Sequence, residues 1–279
     1  MNRNFRFVML LLLLFVVFSL TACGGITRQA APPTDTPRIE QAADKTQQAS
    51  SPVSYAVPKG VPILMYHSIG DEKDNDAVIS KERFAEQMDF LHKNHYNPLT
   101  PEMLADYISL GKPLPVKPVL LTFDDGYRDT YDVAMPILKQ YGFPSIVFIP
   151  AGEVGTNLSW EQLKKMKSSG MQIGSHSYHH KELTKLSPAE QAEEIAKSKE
   201  VLDRSLSQDT LWFCYPYGSY DAATLKLLQE KGLKFAVTMN PGWGKTGDNP
   251  LVLNRIWIGN SVDLKHFEER LTKEDYSML

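Results

Sequence analysis

Seven short apolar segments, spaced by helix-forming stretches, constrain this chain of 279 residues more than any other feature of its sequence. Strands separated by helices of about ten to fifteen residues favour a parallel sheet built from β-α units. Seven or eight such units in about 220 residues fit a closed barrel near the small end of its size range. We therefore predict one α/β domain around a barrel of about seven parallel strands. The predicted strands are Val61–Tyr66, Val116–Phe123, Ser145–Ile149, Met171–Ser175, Leu211–Tyr215, Lys234–Met239 and Val252–Ile258.

The stretches between these strands carry helix start and stop signals. Ser159 and Ser187 each open a capping box, with a glutamine or glutamate three residues later. Pro136 predicts a kink inside a helix over Tyr127–Tyr141, and Ser261 is the predicted cap of the last helix. In a parallel α/β fold the catalytic groups gather at the carboxyl ends of the strands, where we expect the site.

The first 22 residues have the composition of a secretory signal. Arg3 and Arg6 precede an apolar run over residues 7–20, and the string L-T-A-C ends at Cys23. A basic segment, a short apolar segment and small residues define a signal peptide, whereas a membrane-spanning helix needs about 20 apolar residues. L-T-A-C also resembles a bacterial lipobox, which implies that Cys23 is lipidated and becomes the mature N-terminus. An uncleaved anchor helix is the alternative, and both interpretations place the remainder outside the cytoplasm at a membrane surface.

Residues 23–58 are predicted to form a flexible tether that starts at the lipidated Cys23. They contain five prolines, are rich in Ala, Gln, Ser and Thr, and show no helical or strand periodicity. Residues 59–279 then form the folded domain. The expected location is exported, anchored to the membrane by lipid and facing outside the cytoplasm.

Charge and cysteine content exclude two classes of protein. The formal net charge is −3, whereas a nucleic-acid-binding domain needs a cationic face for its phosphate contacts. The chain has two cysteines, too few for a disulfide scaffold, and lipidation of Cys23 would leave Cys214 without a partner. The sequence implies no protein partner.

The first string with chemical content is T-F-D-D-G-Y at residues 122–127, at the end of an apolar strand. Asp124 and Asp125 would normally point to opposite faces, but the turn at Gly126 can bring both carboxylates into one pocket. Two carboxylates that close repel each other unless a cation or water compensates. A plain Asp-Asp-Gly turn, with an aspartate capping the next helix, is the alternative.

The second string, G-S-H-S-Y-H-H at residues 174–180, holds three of the seven histidines. His176 and His180 are four residues apart, so one helical turn or a tight loop could aim both at one ion. A polar surface loop is the alternative. Together with Asp125 they would supply two nitrogens and one oxygen, a three-ligand set that leaves room for water, as in catalytic metal sites. Asp124, which stays off the metal, could accept the proton of that water.

A third string, F-C-Y-P-Y-G at residues 213–218, places a turn after a strand, and such a turn can aim a main-chain N–H at an oxyanion.

The three strings in this order resemble the polysaccharide deacetylases, the NodB-homology group or carbohydrate esterase family 4, from about residue 61 to the end. The resemblance implies a distorted (β/α) barrel and metal-dependent removal of N-acetyl groups. It makes Asp124 the general base and the main-chain N–H of Tyr217 the oxyanion donor. The implied ligands of a divalent metal, zinc above all with cobalt, nickel or manganese as alternatives, are Asp125, His176 and His180.

The chain departs from the family pattern in two places. Members often have an arginine two residues before the proline of the third string, where it orients the catalytic aspartate. Cys214 stands there, and Arg255 on a late strand is the candidate substitute. The usual catalytic acid is a histidine in an L-x-H string; L-K-H fits at His266, but its place in an amphipathic helix indicates a chance match. His67, after the first strand, is the better candidate, with a purely supporting histidine as the alternative.

Two further features bear on the substrate. M-Y-H at residues 65–67, followed by F-D-D-G-Y, resembles the branch of the family that deacetylates poly-β-1,6-GlcNAc. Trp243, between two glycines, is predicted to wall the pocket for the acetyl methyl or to stack on a sugar, with a core tryptophan as the alternative.

The expected function is therefore metal-dependent N-deacetylation of a GlcNAc-containing polysaccharide at the cell surface, with release of acetate. The substrates considered are poly-β-1,6-GlcNAc, peptidoglycan and chitin-type polymers. Two alternatives remain: O-deacetylation of acetyl-xylan in the same fold, and a non-catalytic lipoprotein that binds cell wall or sugar on the same scaffold. Release of acetate separates the enzymes from the binding protein.

Overall fold

The computed structural model of the protein describes residues 53–72 and 74–276. The predicted signal peptide, the lipidated Cys23 and most of the predicted tether lie outside these described residues. Within residues 53–72 and 74–276, no helix is long and apolar enough to cross a bilayer.

Seven parallel strands close into a barrel, which confirms the predicted α/β barrel. Each strand pairs with its neighbours along the chain, and the first strand pairs with both the second and the seventh, which closes the ring. The strands are β1 Ile63–Tyr66, β2 Pro118–Phe123, β3 Ser145–Ile149, β4 Met171–Ser175, β5 Trp212–Cys214, β6 Phe235–Pro241 and β7 Leu253–Trp257.

Helices surround the barrel in an uneven pattern. Two lie between β1 and β2, one follows each of β2 to β5, β6 continues into β7 without a helix, and one follows β7. This unevenness is the distortion that the family resemblance implied. The helices are α1 Lys81–Lys93, α2 Pro101–Leu110, α3 Met135–Tyr141, α4 Trp160–Ser168, α5 Pro188–Leu206, α6 Ala222–Glu230 and α7 Leu264–Thr272.

Short elements complete the described residues. Single helical turns occur at Thr130–Ala134, Ala151–Glu153, Leu183–Lys185 and Pro216–Gly218. Three two-residue pairings decorate the barrel, in which Tyr55–Ala56 lies antiparallel to Leu114–Pro115, Ser68–Ile69 lies parallel to Val78–Ile79, and Asn97–Pro98 lies parallel to β2.

The side chains of β1 and β2 alternate between two buried clusters. Ile63 and Leu120 face one way and pack with Tyr107 of α2. Leu64 and Leu121 face the other way and pack with the helices α1, α3, α4 and α7. The cluster around Ile63 and Leu120 fills the barrel interior. Because it includes α2, this helix closes one end of the barrel, and the site can form at the other end, where the strands have their carboxyl ends.

The structure corrects the predicted cap of α7 and refines the helix around Pro136. Asp263, not Ser261, caps α7 by accepting the N–H of His266 at 2.8 Å. Pro136 lies in the first turn of α3, where its missing N–H is tolerated, and the preceding turn is a wider π turn that starts at Thr130.

The folded part also begins earlier than predicted. Tyr55–Ala56, assigned to the tether, pair with Leu114–Pro115. The carbonyl of Pro58 accepts the hydroxyl of the buried Tyr107 at 2.9 Å. Residues just before 59 therefore contribute contacts to the domain.

Candidate active site

A left-handed turn after β2 separates the two adjacent aspartates. Asp125 and Gly126 have φ values of 67° and 64°. A Cβ at Gly126 would lie 2.8 Å from Cδ1 of Ile149, so this position needs glycine. As a result Asp124 stays inside the barrel, 2% exposed, while Asp125 turns towards the histidines that follow β4.

Asp125, His176 and His180 converge as the sequence predicts. Oδ1 of Asp125 lies 3.2 Å from Nε2 of His176 and 3.1 Å from Nε2 of His180, and the two Nε2 atoms are 3.2 Å apart. A tight loop, not a helical turn, brings the histidines together. Burial alone would raise the pKa of Asp125, but hydrogen bonds from the two histidines lower it well below its usual range.

These three atoms fit a zinc-like ion. Tetrahedral bonds of about 2.0–2.1 Å place neighbouring ligand atoms about 3.3 Å apart, close to the three distances above. Nδ1 of His176 lies 2.8 Å from the carbonyl oxygen of Cys214. A carbonyl can only accept, so Nδ1 carries the proton, and in the neutral ring that metal binding requires Nε2 presents its lone pair to the site; only a second proton lets the same Nε2 donate to Asp125.

A second group of metal-ligating side chains overlaps the first. Asp124, His176 and Cys214 also place one ligand atom each within 4.8 Å of one another. Nη2 of Arg255 lies 2.7 Å from Asp124 and 3.2 Å from the Cys214 sulfur. Since this guanidinium would repel a cation, and burial raises the pKa of the Cys214 thiol, the group with Asp125 is the better metal site.

Arg255 pairs with Asp124 in the barrel interior, which is the substitution the sequence suggested. Nη1 and Nη2 donate to the two carboxylate oxygens at 2.8 and 2.7 Å. The remaining donors reach Thr122, Cys214 and the carbonyl of Thr238. Burial alone would raise the pKa of Asp124, but the charge and hydrogen bonds of Arg255 lower it, so Asp124 is ionised at neutral pH.

His67 lies beside this pair at the end of β1. Its Nε2 is 3.9 Å from Oδ2 of Asp124, and its ring packs against Trp257 with centroids 4.8 Å apart. Nδ1 of His67 is buried, with no hydrogen-bond partner among the described residues. Burial lowers the pKa of His67 more than the nearby aspartates raise it. A proton on this ring is therefore held weakly.

The remaining predicted residues divide into one near the site and two away from it. Tyr217 has a left-handed φ of 58°, the residue is 63% exposed, and its ring centroid lies 4.9 Å from that of His180. Trp243 is not brought into the site. Its Nε1 donates to the carbonyl of Arg270, and the next residue, Gly244, forms an antiparallel bridge with Val61, which precedes β1. His266 lies in the first turn of α7, bonded to Asp263.

Left-handed backbone concentrates at this site. Seven residues other than glycine have positive φ among the described residues, and four of them are Asp125, Ser177, His180 and Tyr217. Such conformations cost about 1–3 kcal/mol each and cluster at functional sites. The site is therefore held against local preference by its surroundings.

Three residues around the site were not predicted from the sequence, namely Asp76, Glu194 and Trp257. Asp76 accepts Nε1 of Trp257 at 2.6 Å, which holds the ring that packs on His67. Glu194 of α5 accepts the main-chain N–H groups of two residues in the histidine loop. The signal for Glu194 was a charged residue on the buried face of an amphipathic helix; Asp76 and Trp257 carried no signal.

Sequence comparison agrees with this geometry. The sequence model described as polysaccharide deacetylase matches residues 111–236. YxkH of Bacillus subtilis (strain 168), named as a polysaccharide deacetylase, is 34% identical over 262 residues, which cover 91% of this chain and 93% of that protein. The chain belongs to the polysaccharide deacetylase family. As a polysaccharide deacetylase it is a hydrolase acting on amide bonds, and deacetylases of this family are metalloenzymes.

Two further relatives of this deacetylase are informative. A Streptococcus pyogenes deacetylase, PplD, solved in complex with acetate, has a TM-score of 0.73 and 32% identity and covers 77% of this chain and 99% of its own. The poly-beta-1,6-N-acetyl-D-glucosamine N-deacetylase of Staphylococcus aureus (strain MRSA252) is 27% identical over 71% of this chain and 74% of its own length.

Proposed function

We propose that this deacetylase is a metal-dependent N-deacetylase of a GlcNAc-containing polysaccharide, with poly-β-1,6-GlcNAc as the first candidate substrate. The observation that carries the metal proposal is the trio of ligand atoms 3.1–3.2 Å apart on Asp125, His176 and His180. The chemistry that a divalent ion, zinc first, supplies when bound there is Lewis acidity, which polarises the acetamide carbonyl and lowers the pKa of a neighbouring water.

Asp124 is the proposed base for that water. It is ionised because Arg255 holds its pKa low, and the bidentate pair fixes its carboxylate in one orientation. A base beside the nucleophile must lie within hydrogen-bond reach, and Asp124 directly precedes the ligand Asp125. Removal of the proton and attack on the acetyl carbon then give a tetrahedral oxyanion.

Tyr217 and His67 are proposed to act on the two other atoms of that intermediate. The main-chain N–H of Tyr217, in the strained turn after β5, would donate to the oxyanion. His67, whose Nε2 lies 3.9 Å from Oδ2 of Asp124, would receive the proton that Asp124 removes from the water and pass it to the departing amine, and burial, which lowers the pKa of His67, makes that proton easy to give up. The carbon–nitrogen bond then breaks, and acetate and a free amine leave.

The relatives guide the proposed substrate. The Staphylococcus aureus relative is named for poly-β-1,6-GlcNAc, although its identity to this chain is 27%. The lipid anchor at Cys23 and a location outside the cytoplasm rest on the sequence of the first 23 residues and complete the proposal.

The test is acetate release by the full-length protein, purified in detergent. Poly-β-1,6-GlcNAc, chitin oligomers, peptidoglycan and acetylated xylan would each be incubated with zinc, with cobalt and with chelator. We expect chelator-sensitive release from an N-acetylated polymer, lost in Asp124→Asn and in His176→Ala. Release from acetylated xylan alone would favour the O-deacetylase alternative.

A result without activity would also decide. Tight zinc binding with no acetate release from any polymer would overturn the enzymatic proposal in favour of a sugar-binding lipoprotein. Release that survives complete removal of metal would overturn the metal proposal.

A further inference from the structure

The loop that carries two proposed ligands is not supported by secondary structure. Residues 176–180 belong to no helix or strand. Ser177 and His180 have left-handed φ values of 62° and 56°. Backbone of this kind persists only where surrounding contacts hold it. The position of both histidine rings therefore depends on groups outside the loop.

The carboxylate of Glu194, on α5, supplies the largest set of such contacts. Its Oε2 accepts the main-chain N–H groups of Tyr178 at 3.1 Å and His179 at 2.7 Å. Its Oε1 lies 2.7 Å from Nδ1 of His179 and 3.7 Å from Nζ of Lys181. The Glu194 carboxylate thus binds two of the three residues that lie between His176 and His180.

The opposite side of the loop is held by main-chain contacts. The N–H groups of Ala151 and Gly152 donate to the carbonyls of Ser177 and Tyr178 at 3.1 and 2.7 Å. A Cβ at Gly152 would lie 2.7 Å from the Tyr178 carbonyl oxygen, which shows how closely the segments approach. The loop is therefore clamped between a fixed turn and the side chain of Glu194.

Burial and charge mark Glu194 as a dedicated contact. The residue is 5% exposed, in a helix whose buried face also carries Gln191 and Ser198. Burial alone would raise its pKa, but hydrogen bonds from His179 lower it, so the carboxylate is charged. Buried carboxylates are costly unless fully paired, and each contact named here goes to the histidine loop or to Lys181 next to it.

We propose that Glu194 is a positioning residue for the metal site. Its contacts go to Tyr178, His179 and Lys181 and not to the three ligand atoms, and it sets metal affinity by holding the histidine loop in its strained conformation. The inference rests on the proposed metal site and adds a determinant of its affinity. Partners that orient metal ligands typically change affinity by about 10–100-fold when removed.

The test is the zinc dissociation constant of the full-length protein, measured by competition with a chromophoric chelator. Glu194→Ala should weaken zinc binding by at least about tenfold. Glu194→Gln should stay within about threefold of wild type, because the amide oxygen can still accept both main-chain N–H groups. His179→Ala should also bind nearly as wild type, since the main-chain contacts remain.

Gln191→Ala is the matched control. Gln191 lies one turn earlier on the same buried face, 2% exposed, and bonds to the Leu186 carbonyl and to Thr224 instead of to the loop. Its loss should lower the melting temperature without weakening zinc binding. If Glu194→Ala does not fold, Glu194→Asp replaces it, with an expected loss of affinity of several-fold because the shorter side chain cannot reach both N–H groups.

The outcomes are distinguishable. Wild-type affinity in Glu194→Ala, or equal weakening in Glu194→Ala and Gln191→Ala, would overturn the positioning role while leaving the proposed function standing. Failure of the wild-type protein to bind zinc would overturn the proposed metal site and this inference with it.

Discussion

Arg255 uses every donor of its guanidinium inside the barrel. Five N–H groups reach Thr238, Thr122, Asp124 twice and the sulfur of Cys214. Arg255 therefore pairs with the proposed base from β7, whereas in the family pattern this ion pair is made by an arginine of the third string. Cys214 fills the vacated position as a small neutral side chain.

Replacement of this arginine should destabilise the fold strongly. Arg255→Met leaves the Asp124 carboxylate buried without a partner, and loss of one member of a buried pair costs about 3–5 kcal/mol. Urea denaturation at pH 7 measures the change. Arg128→Met is the control, because Arg128 pairs with Asp132 on the surface and its loss should change stability by less than about 1 kcal/mol.

The same variant has a distinctive pH dependence. In the wild type the lowered pKa of Asp124 stabilises the fold above the unfolded value of about 3.9, and this contribution disappears as the pH falls through the folded pKa. In Arg255→Met burial would raise that pKa, so the sign reverses. The stability difference should shrink as the pH falls from 7 towards 4; a constant difference would contradict the role of the ion pair.

Zinc binding should weaken in mildly acidic solution because of His180. Burial lowers its pKa, but the hydrogen bond and charge of Asp125 outweigh this and raise it above the usual value. A proton on His180 competes with the ion, so the apparent affinity should fall by up to about tenfold per unit as the pH drops below that pKa. Isothermal titration from pH 8 to 6 measures this, and a flat profile would argue against His180 as a ligand.

Single residues differed in how well the sequence identified them. The sequence strings around residues 122–127 and 174–180 contain carboxylates and imidazoles, which indicate metal binding and a general base. They identified Asp124, Asp125, His176 and His180. Arg255 was found because a missing arginine requires a replacement. The role of Trp243 was not borne out by its position, since a loop between two glycines can fold in either direction and only tertiary contacts decide.

At the scale of elements, the turn after β2 decides where the two aspartates point. Gly126→Ala would put a Cβ at φ 64° and 2.8 Å from Ile149, while Gly142→Ala has a similar φ of 67° but open space around it. The control should lose about 1 kcal/mol from backbone strain, and Gly126→Ala clearly more. Thermal unfolding measures both changes.

Activity separates the two glycine variants further. Gly126→Ala should lose acetate release, because the overlap displaces Asp125, whereas Gly142→Ala lies at the end of α3 and should keep it. Equal activity in the two variants would show that the turn does not position the ligand.

Element boundaries followed local chemistry where that chemistry was unambiguous. The capping boxes at Ser159 and Ser187 are both formed. At α7 the sequence predicts Ser261 as the cap, but the helix begins at Leu264, where Asp263 accepts the N–H of His266, and the N–H of Ser261 is bound by Asp76 from a distant loop. Long-range contacts of this kind are not visible in a local pattern.

At the scale of the whole molecule, the start of the folded domain can be tested by truncation. A chain that begins at Lys59 lacks Pro58, whose carbonyl accepts the buried hydroxyl of Tyr107. It should be less stable than a chain that begins at Ser51 by about 1–3 kcal/mol. In the Tyr107→Phe background the two lengths should differ less, which urea denaturation of the four chains would show.

The barrel itself could be predicted because most strand residues are apolar and helices separate most of the strands. The closure of one barrel end by α2 could not be predicted, because the apolar face of α2 resembles that of any surface helix. Where this face packs depends on contacts with the end of the barrel. The pairing of Tyr55–Ala56 was missed because two residues show no periodicity.

Closure of the ring by β7 has a consequence for the order of events in synthesis. Asp124 and Arg255 are 131 residues apart in sequence, and chains grow from the amino end. A chain cut short before β7 already contains the proposed base and all three proposed ligands, yet its buried carboxylate has no counter-charge. We therefore expect the ion pair at the proposed site to form only after the last strand has been made.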